Sequence, residues 1–249
     1  MSLNNFIGKK VRPIELAFLL KKFLLIKRSI KKINGFNWFI DPISDFGLRL
    51  VEEGSYEKEM TALILDNLSE NDTFVDLGGN EGYFSILASE KVRQGGKIYC
   101  IEPQQRLWNV ILNNIQLNRC KNICLFPFAI SDKEATIELT LSPDINTGSS
   151  TFAADARRSF WKKQTINAET LDSLFYQKVN SIELIKIDIE GFELFALKGA
   201  EKLLKNKIIK KLIIELHPPQ LATLGQSIDD VEKYLLAFGY KENNGVYQF

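Results

Sequence analysis

Three carboxylates crowd into six residues at Asp188, Glu190 and Glu193, and the chain's single histidine, His217, follows further on with Glu215 two positions before it. Carboxylates and imidazole are the groups that take a proton from a hydroxyl near neutral pH, which is worth roughly 10²–10⁴-fold in rate. A second constellation precedes them. An apolar run, Thr73-Phe74-Val75-Asp76-Leu77, carries an acid near its end and leads into the glycine-rich turn Gly78-Gly79-Asn80-Glu81-Gly82. Helical apolar spacing then resumes at Phe84, Leu87 and Ala88. Twenty positions after Gly82 another apolar run ends in Glu102 and is stopped by Pro103. An acid at that distance accepts the hydroxyls of a ribose in nucleoside-binding α/β folds, where ligands sit beyond the carboxyl ends of the strands.

The charge of the turn narrows the ligand. No register of Gly78, Gly79 and Gly82 gives G-x-G-x-x-G, and no P-loop lysine is present, so a pyrophosphate is excluded. Asp76 repels a polyphosphate and suits a cation. S-adenosylmethionine is a nucleoside of that kind, with a sulfonium and an ammonium beside its ribose. The plain alternative is an ordinary turn with glycines at positive φ; the second acid, at the right distance, argues for a site. A lone histidine is more often structural than catalytic, so His217 stands beside Asp188 and Glu190 as one of three proton acceptors. Glu193 reads as a solvated first-turn helix residue favoured by the helix dipole.

These residues need strands that bring them to one edge. Residues 36–41, 73–77, 97–102, 122–130, 181–188 and 211–215 read as strands, and 135–141 alternates with a period of two as a half-exposed antiparallel strand. Helical patterns cover 56–68, 107–117, 192–204 and 228–238. Residues 143–151 form a polar, turn-rich loop placed to reach over the ligand. Asn243-Asn244-Gly245 between two short apolar-aromatic runs signals a closing hairpin. Strands alternating with helices give an α/β sandwich with a mostly parallel sheet.

With 249 residues, 45% apolar and 25% charged, the chain has the composition of a globular domain. Net charge is +1, which argues against a general nucleic-acid binder, but the charge is uneven. Up to Gly35 nine Lys and Arg face Glu15 alone, about +8, which leaves about −7 for the rest. Residues 13–32 have helical apolar content with Lys21, Arg28 and Lys32 on one stripe. Lys21-Lys22 interrupts the run well short of the roughly twenty residues of a membrane span. The segment is expected to be a helix that packs on the domain or on a second copy, or one that lies in the plane of a membrane through residues 9–32. Cys100, Cys120 and Cys124 form no C-x-x-C pair and have no nearby histidine, which argues against a disulfide framework or zinc site and fits a reducing cytoplasm. No metal ligand set is expected.

The segment Lys186-Ile187-Asp188-Ile189-Glu190-Gly191-Phe192-Glu193, followed by Leu197-Lys198-Gly199-Ala200, resembles the hallmark of the FkbM-type methyltransferases. The D-x-G-x-N-x-G turn resembles the first motif of the Rossmann-like class I methyltransferases. Tyr56-Glu57, Ile101-Glu102-Pro103, Ala129-Ile130-Ser131-Asp132, Thr170-Leu171-Asp172 and Ile214-Glu215-Leu216-His217-Pro218 extend the match over roughly residues 36–249. Gly79 stands where the family usually has Ala, a change read as harmless. The resemblance implies a Rossmann-like class I sandwich, a seven-stranded mostly parallel sheet with an antiparallel C-terminal hairpin, and a division into a basic helix (1–35) and a methyltransferase domain (36–249). It implies an S-adenosylmethionine-dependent O-methyltransferase acting on a sugar, glycan, glycolipid or other small hydroxyl compound. Asp76, Gly78, Asn80 and Gly82 would then line the methionine end, Glu102 the ribose and Ser131 or its neighbours the adenine. Glu57 and Asp188 join the cofactor contacts. A nucleic-acid N-methyltransferase would want an Asn/Asp-Pro-Pro-aromatic signature after the fourth strand, where this chain has Asp188-Ile189-Glu190-Gly191; Pro218-Pro219 comes one strand too late. A silent cofactor-binding module recruited to membranes, and a homo-oligomer, remain compatible with the sequence.

Overall fold

The computed structural model describes residues 3–11, 14–153 and 161–249. Pro13, read as the start of the basic helix, lies outside the described residues, whereas the loop expected over 143–151 lies within them. The chain opens with helices α1 (Leu3–Lys10) and α2 (Ile14–Phe23). The basic helix expected through residue 32 therefore stops at Phe23. Beyond it, β1 (Ser29–Ile33) and β2 (Phe36–Ile40) form an antiparallel hairpin. Its turn is Asn34-Gly35, both at positive φ, the pair that a tight hairpin favours. A boundary drawn between residues 35 and 36 falls inside that hairpin.

Helices α3 (Asp45–Glu53) and α4 (Lys58–Asp66) lead to β3 (Thr73–Leu77), α5 (Tyr83–Val92), β4 (Lys97–Ile101), α6 (Gln105–Leu117) and β5 (Ile123–Phe126). The strand expected over 122–130 is split, because β6 (Ala129–Ile130) leaves the main sheet and pairs with β8. Strand β7 (Ala135–Leu141), a 3-10 segment (Asp144–Ser149) and β8 (Lys162–Glu169) follow, with β7 and β8 antiparallel. The last third contains α7 (Leu171–Phe175), β9 (Ile182–Ile187), α8 (Glu193–Lys198), α9 (Glu201–Lys205), β10 (Ile209–Ile214), α10 (Pro218–Thr223), α11 (Ile228–Ala237), β11 (Lys241–Asn243) and β12 (Val246–Gln248). One long helix was expected over 192–204, but it breaks between α8 and α9. The Asp172 carboxylate accepts the Lys202 and Leu203 N–H groups at 2.9 and 3.0 Å and caps a new helix start. Gly199 lets the Ser131 carbonyl pass close to the chain at the break, since a Cβ there would lie 2.1 Å from its oxygen.

The main sheet has seven strands in the order β11-β12-β10-β9-β3-β4-β5, and α/β layering follows. The five strands from β10 to β5 are parallel, and the C-terminal hairpin is antiparallel, the Rossmann-like arrangement expected from the sequence. Val75, Leu77, Ile185, Ile187 and Leu212 are essentially buried, as parallel strands covered on both faces require. The chain runs β3 to β4 to β5 in one direction and later returns to β9 on the other side of β3. Ligands bind at such a switch point. Leu77 is in register with both Ile101 and Ile187, so Gly78, Glu102 and Asp188 emerge side by side at one edge.

Candidate active site

The side chains at that edge surround a cavity of about 430 Å³. Gly78, Gly79, Asn80 and Glu102 line it on one side, and Asp188, Glu190, Glu215 and His217 on another; Glu57, Phe128, Ala129 and Ile130 also reach it. Seven of its lining residues are acidic, against Arg49, Lys186 and His217, so the cavity favours a cation. Three sequence candidates stand behind the wall. Asp76 is fully buried; its Oδ2 accepts the Ser85 hydroxyl at 2.7 Å and its Oδ1 lies 3.6 Å from Lys186 Nζ. Its cation is thus a lysine of the chain. Gly82 serves the backbone: at φ +83° it starts α5, where an L side chain would be strained. Ser131 donates to Asp132 at 3.0 Å, and the adjacent wall is formed by Phe128, Ala129 and Ile130.

The Glu102 end is built mostly from backbone. Glu102 is 2% exposed, and its two oxygens accept the Asn80 and Gln104 N–H groups at 2.7 and 2.8 Å. A carboxylate has about four acceptor sites, more than these bonds use. Burial raises this carboxyl to about 7, against the lowering effect of the same N–H groups. Gly78 has φ +81°, and a Cβ there would lie 1.9 Å from the Asp188 carbonyl oxygen. Gly79 meets a side chain instead: a Cβ would lie 2.3 Å from Cys100 Sγ. An Ala at 79 would therefore require the buried Cys100 side chain to shift. The Asn80 side chain accepts the Thr147 hydroxyl at 2.8 Å, which ties the turn to the 3-10 segment. Arg28 clamps the neighbouring Glu81 with two bonds of 2.6 and 2.9 Å.

The other end is built from side chains. His217 Nδ1 lies 2.9 Å from Glu193 Oε1. His217 Nε2 lies 3.7 Å from Asp188, 3.8 Å from Glu190 and 3.9 Å from Glu215. Burial alone would lower the imidazole pKa, but the bond to Glu193 and the charges of Glu190 and Asp188 outweigh it and push it up to about 9. Glu193 is fully buried, not solvated as its place in the first turn of α8 suggested. It also accepts the Gly191 N–H at 2.9 Å. Glu190 sits at φ +52° and accepts from Gln220 at 2.7 Å. Burial, then repulsion from Asp188, raises the Glu215 carboxyl. Glu57 is raised mainly by burial as well.

Lys186 had no role in the sequence reading. It is 1% exposed, 3.2 Å from Asp188 Oδ2, and directly opposite Asp76 in the β3–β9 register. Burial would lower its pKa, yet Asp188 and Asp76 raise it. The available signal was a lysine inside a buried apolar strand, which demands an anionic partner. Glu193 carried no such signal, because its partner lies 24 residues away.

Residues 76–242 match the family described as Methyltransferase FkbM domain. Methyltransferase sdnD of Sordaria araneosa is 26% identical, over 61% of this chain and 69% of its own. Hexuronic acid methyltransferase AglP of Haloferax volcanii is 24% identical, over 65% of this chain and 62% of its own. Among solved structures, a precorrin-6y C5,15-methyltransferase from Geobacter metallireducens superposes with a TM-score of 0.44 at 15% identity, covering 75% of this chain and 74% of that one.

Proposed function

The chain belongs to the FkbM methyltransferases, and from that premise we propose that it transfers the methyl group of S-adenosylmethionine to a hydroxyl of a sugar or glycan. When bound, the cofactor supplies an electrophilic methyl carbon on a positively charged sulfur. The residues present fit it. Glu102 offers unused lone pairs to a diol, Gly78 and Gly79 let backbone approach closely, and the acidic wall suits a cationic ligand. Gly78, Asn80, Glu102 and Asp188 would hold the donor, with Glu57 on the same wall.

The single observation that carries the reaction type is the His217 cluster. A hydroxyl is a weak nucleophile until its proton has somewhere to go. The separations of 3.7 to 3.9 Å around Nε2 are too long for direct hydrogen bonds, so Nε2 is left to bond a hydroxyl presented from the cavity. Neutral His217 accepts the proton at Nε2, and Glu193 holds the ring through Nδ1. Asp188 and Glu190 then stabilise the imidazolium that forms, which is the role of an orienting acid behind a catalytic histidine. A neutral polyol suits the carboxylates as hydrogen-bond partners, whereas an anionic acceptor meets repulsion. AglP, by its name a hexuronic acid methyltransferase, supports a sugar acceptor in general.

Methyl-labelled cofactor incubated with neutral sugars, lipid-linked glycans, uronic acids and single-stranded nucleic acid tests the reading. Label in an ether of a neutral sugar hydroxyl is expected. Label on a base nitrogen, or turnover with none of the acceptors despite tight cofactor binding, overturns it.

A further inference from the structure

The first two helices are apolar on both sides. Ile7, Val11 and Ala17 face inward and pack with Ile43 and Ile145. Outward, α1 presents Leu3 and Phe6, and α2 presents Leu16, Leu19 and Phe23, spaced i, i+3 and i+7 on one stripe. Leu24 and Leu25 continue this surface beyond α2. Of the twelve large apolar side chains exposed among the described residues, these seven lie within the first 25 positions, and Phe23 and Leu25 are 82% and 76% exposed. Leu25 is also held at φ +52°, a strained position for a bulky residue at the tip of a turn. A contiguous apolar surface of this kind marks a contact with something else.

Lys10, Lys22, Lys27, Lys31 and Lys32 are exposed in the same segment, and Lys9 pairs with Glu52. No helix among the described residues is long and apolar enough to cross a membrane. We propose that this face docks in the plane of an anionic lipid surface. The apolar stripe enters the headgroup boundary while the lysines meet lipid charge, each favouring binding by about five-fold near such a surface. A second copy of the chain is a poorer occupant, because an isologous contact sets one basic patch against another. Gly8 of α1 also lines the cavity, so the docking face and the cavity share a wall. This inference does not depend on the identity of the methyl acceptor.

Flotation of the full chain with vesicles tests it without requiring turnover. At low salt the protein is expected to float with phosphatidylcholine containing about 30% phosphatidylserine and to stay below with phosphatidylcholine alone. Raising the salt should release it. The triple variant Leu19→Ser, Phe23→Ser, Leu25→Ser should bind at least ten-fold more weakly while keeping wild-type cofactor affinity, which reports an intact fold. Failure of the wild-type chain to float with either vesicle overturns the proposal. So does undiminished binding by the triple variant at unchanged cofactor affinity. A concentration-dependent dimer in sedimentation that the triple variant abolishes assigns the surface to a second copy instead.

Discussion

The two ends of the cavity handle buried charge in opposite ways. At Glu102 a single carboxylate is fixed by two backbone N–H groups, and the glycines beside it admit no Cβ without a clash. At His217 one imidazole sits among four carboxylates, with only the Glu193 bond shorter than 3.7 Å. The first arrangement specifies shape and barely adjusts. The second concentrates proton affinity on one ring nitrogen that faces the cavity without a direct hydrogen bond to the carboxylates around it. On the function proposed above, binding a constant cofactor calls for the former, and moving a proton in varied acceptors calls for the latter.

Removing the imidazole should separate the two ends most sharply. His217→Ala is expected to lower kcat by roughly 10²–10⁴-fold, with cofactor affinity by calorimetry within a few-fold of wild type. Parallel loss of cofactor binding would move His217 to the donor end. In the intact enzyme, a proton acceptor raised to about 9 is mostly protonated at neutral pH. Turnover should therefore rise about ten-fold per pH unit up to roughly 9 and then level off. A profile flat between pH 6 and 8 would transfer the proton to Asp188 or Glu190.

Glu193→Gln should act through the histidine, lowering kcat roughly 10–100-fold because ring orientation and imidazolium stabilisation are both weakened. The chain has one histidine, so a single imidazole NMR resonance reports it. Its titration should fall from about 9 toward the ordinary value, with partial recovery in Glu193→Asp. An unmoved titration would reduce Glu193 to a structural role.

Legibility in the sequence followed the same divide. Asp76, the glycine turn and Glu102 are close in sequence or at a distance set by one strand–helix–strand unit, so their spacing announced the donor end. Even there, the burial of Asp76 behind the cavity wall was not legible, because its lysine partner lies across the sheet on β9. The acceptor end joins β9, α8 and the segment after β10, and nothing in the spacing of Glu193 and His217 encodes their 2.9 Å contact. The fold was readable where periodicity was clean, including the parallel strands and the closing hairpin. It was misread at residues 29–32, where apolar content suggested helix while the turn pair Asn34-Gly35 dictated a hairpin. Strand β8 and helix α3 were not anticipated at all.

Smaller effects are expected at the donor end, and they test its rigidity. Glu102→Gln replaces one acceptor oxygen with an NH₂ group facing a backbone N–H, so the Asn80 or Gln104 bond is lost together with one contact to the diol. Cofactor affinity should fall roughly 10–100-fold, equal to about 1.5–3 kcal/mol for a hydrogen bond to a charged group, while kcat at saturation changes little. Since burial raises the carboxyl to about 7 and the ionised form accepts the diol, wild-type affinity should weaken below that pH and the variant's should not.

Gly79→Ala asks whether the turn can yield at all. The added methyl meets Cys100 Sγ, a side chain that can rotate, so the expected cost is about 1 kcal/mol of stability. Cys100→Ala alone should also destabilise by leaving a cavity. Together the two changes should cost less than their sum, because the new methyl occupies the space the sulfur vacates. Urea unfolding of the four proteins measures that coupling. Strict additivity would mean that the turn moves away from Cys100 freely, and the contrast between a rigid donor end and an adjustable acceptor end would fail at its firmest point.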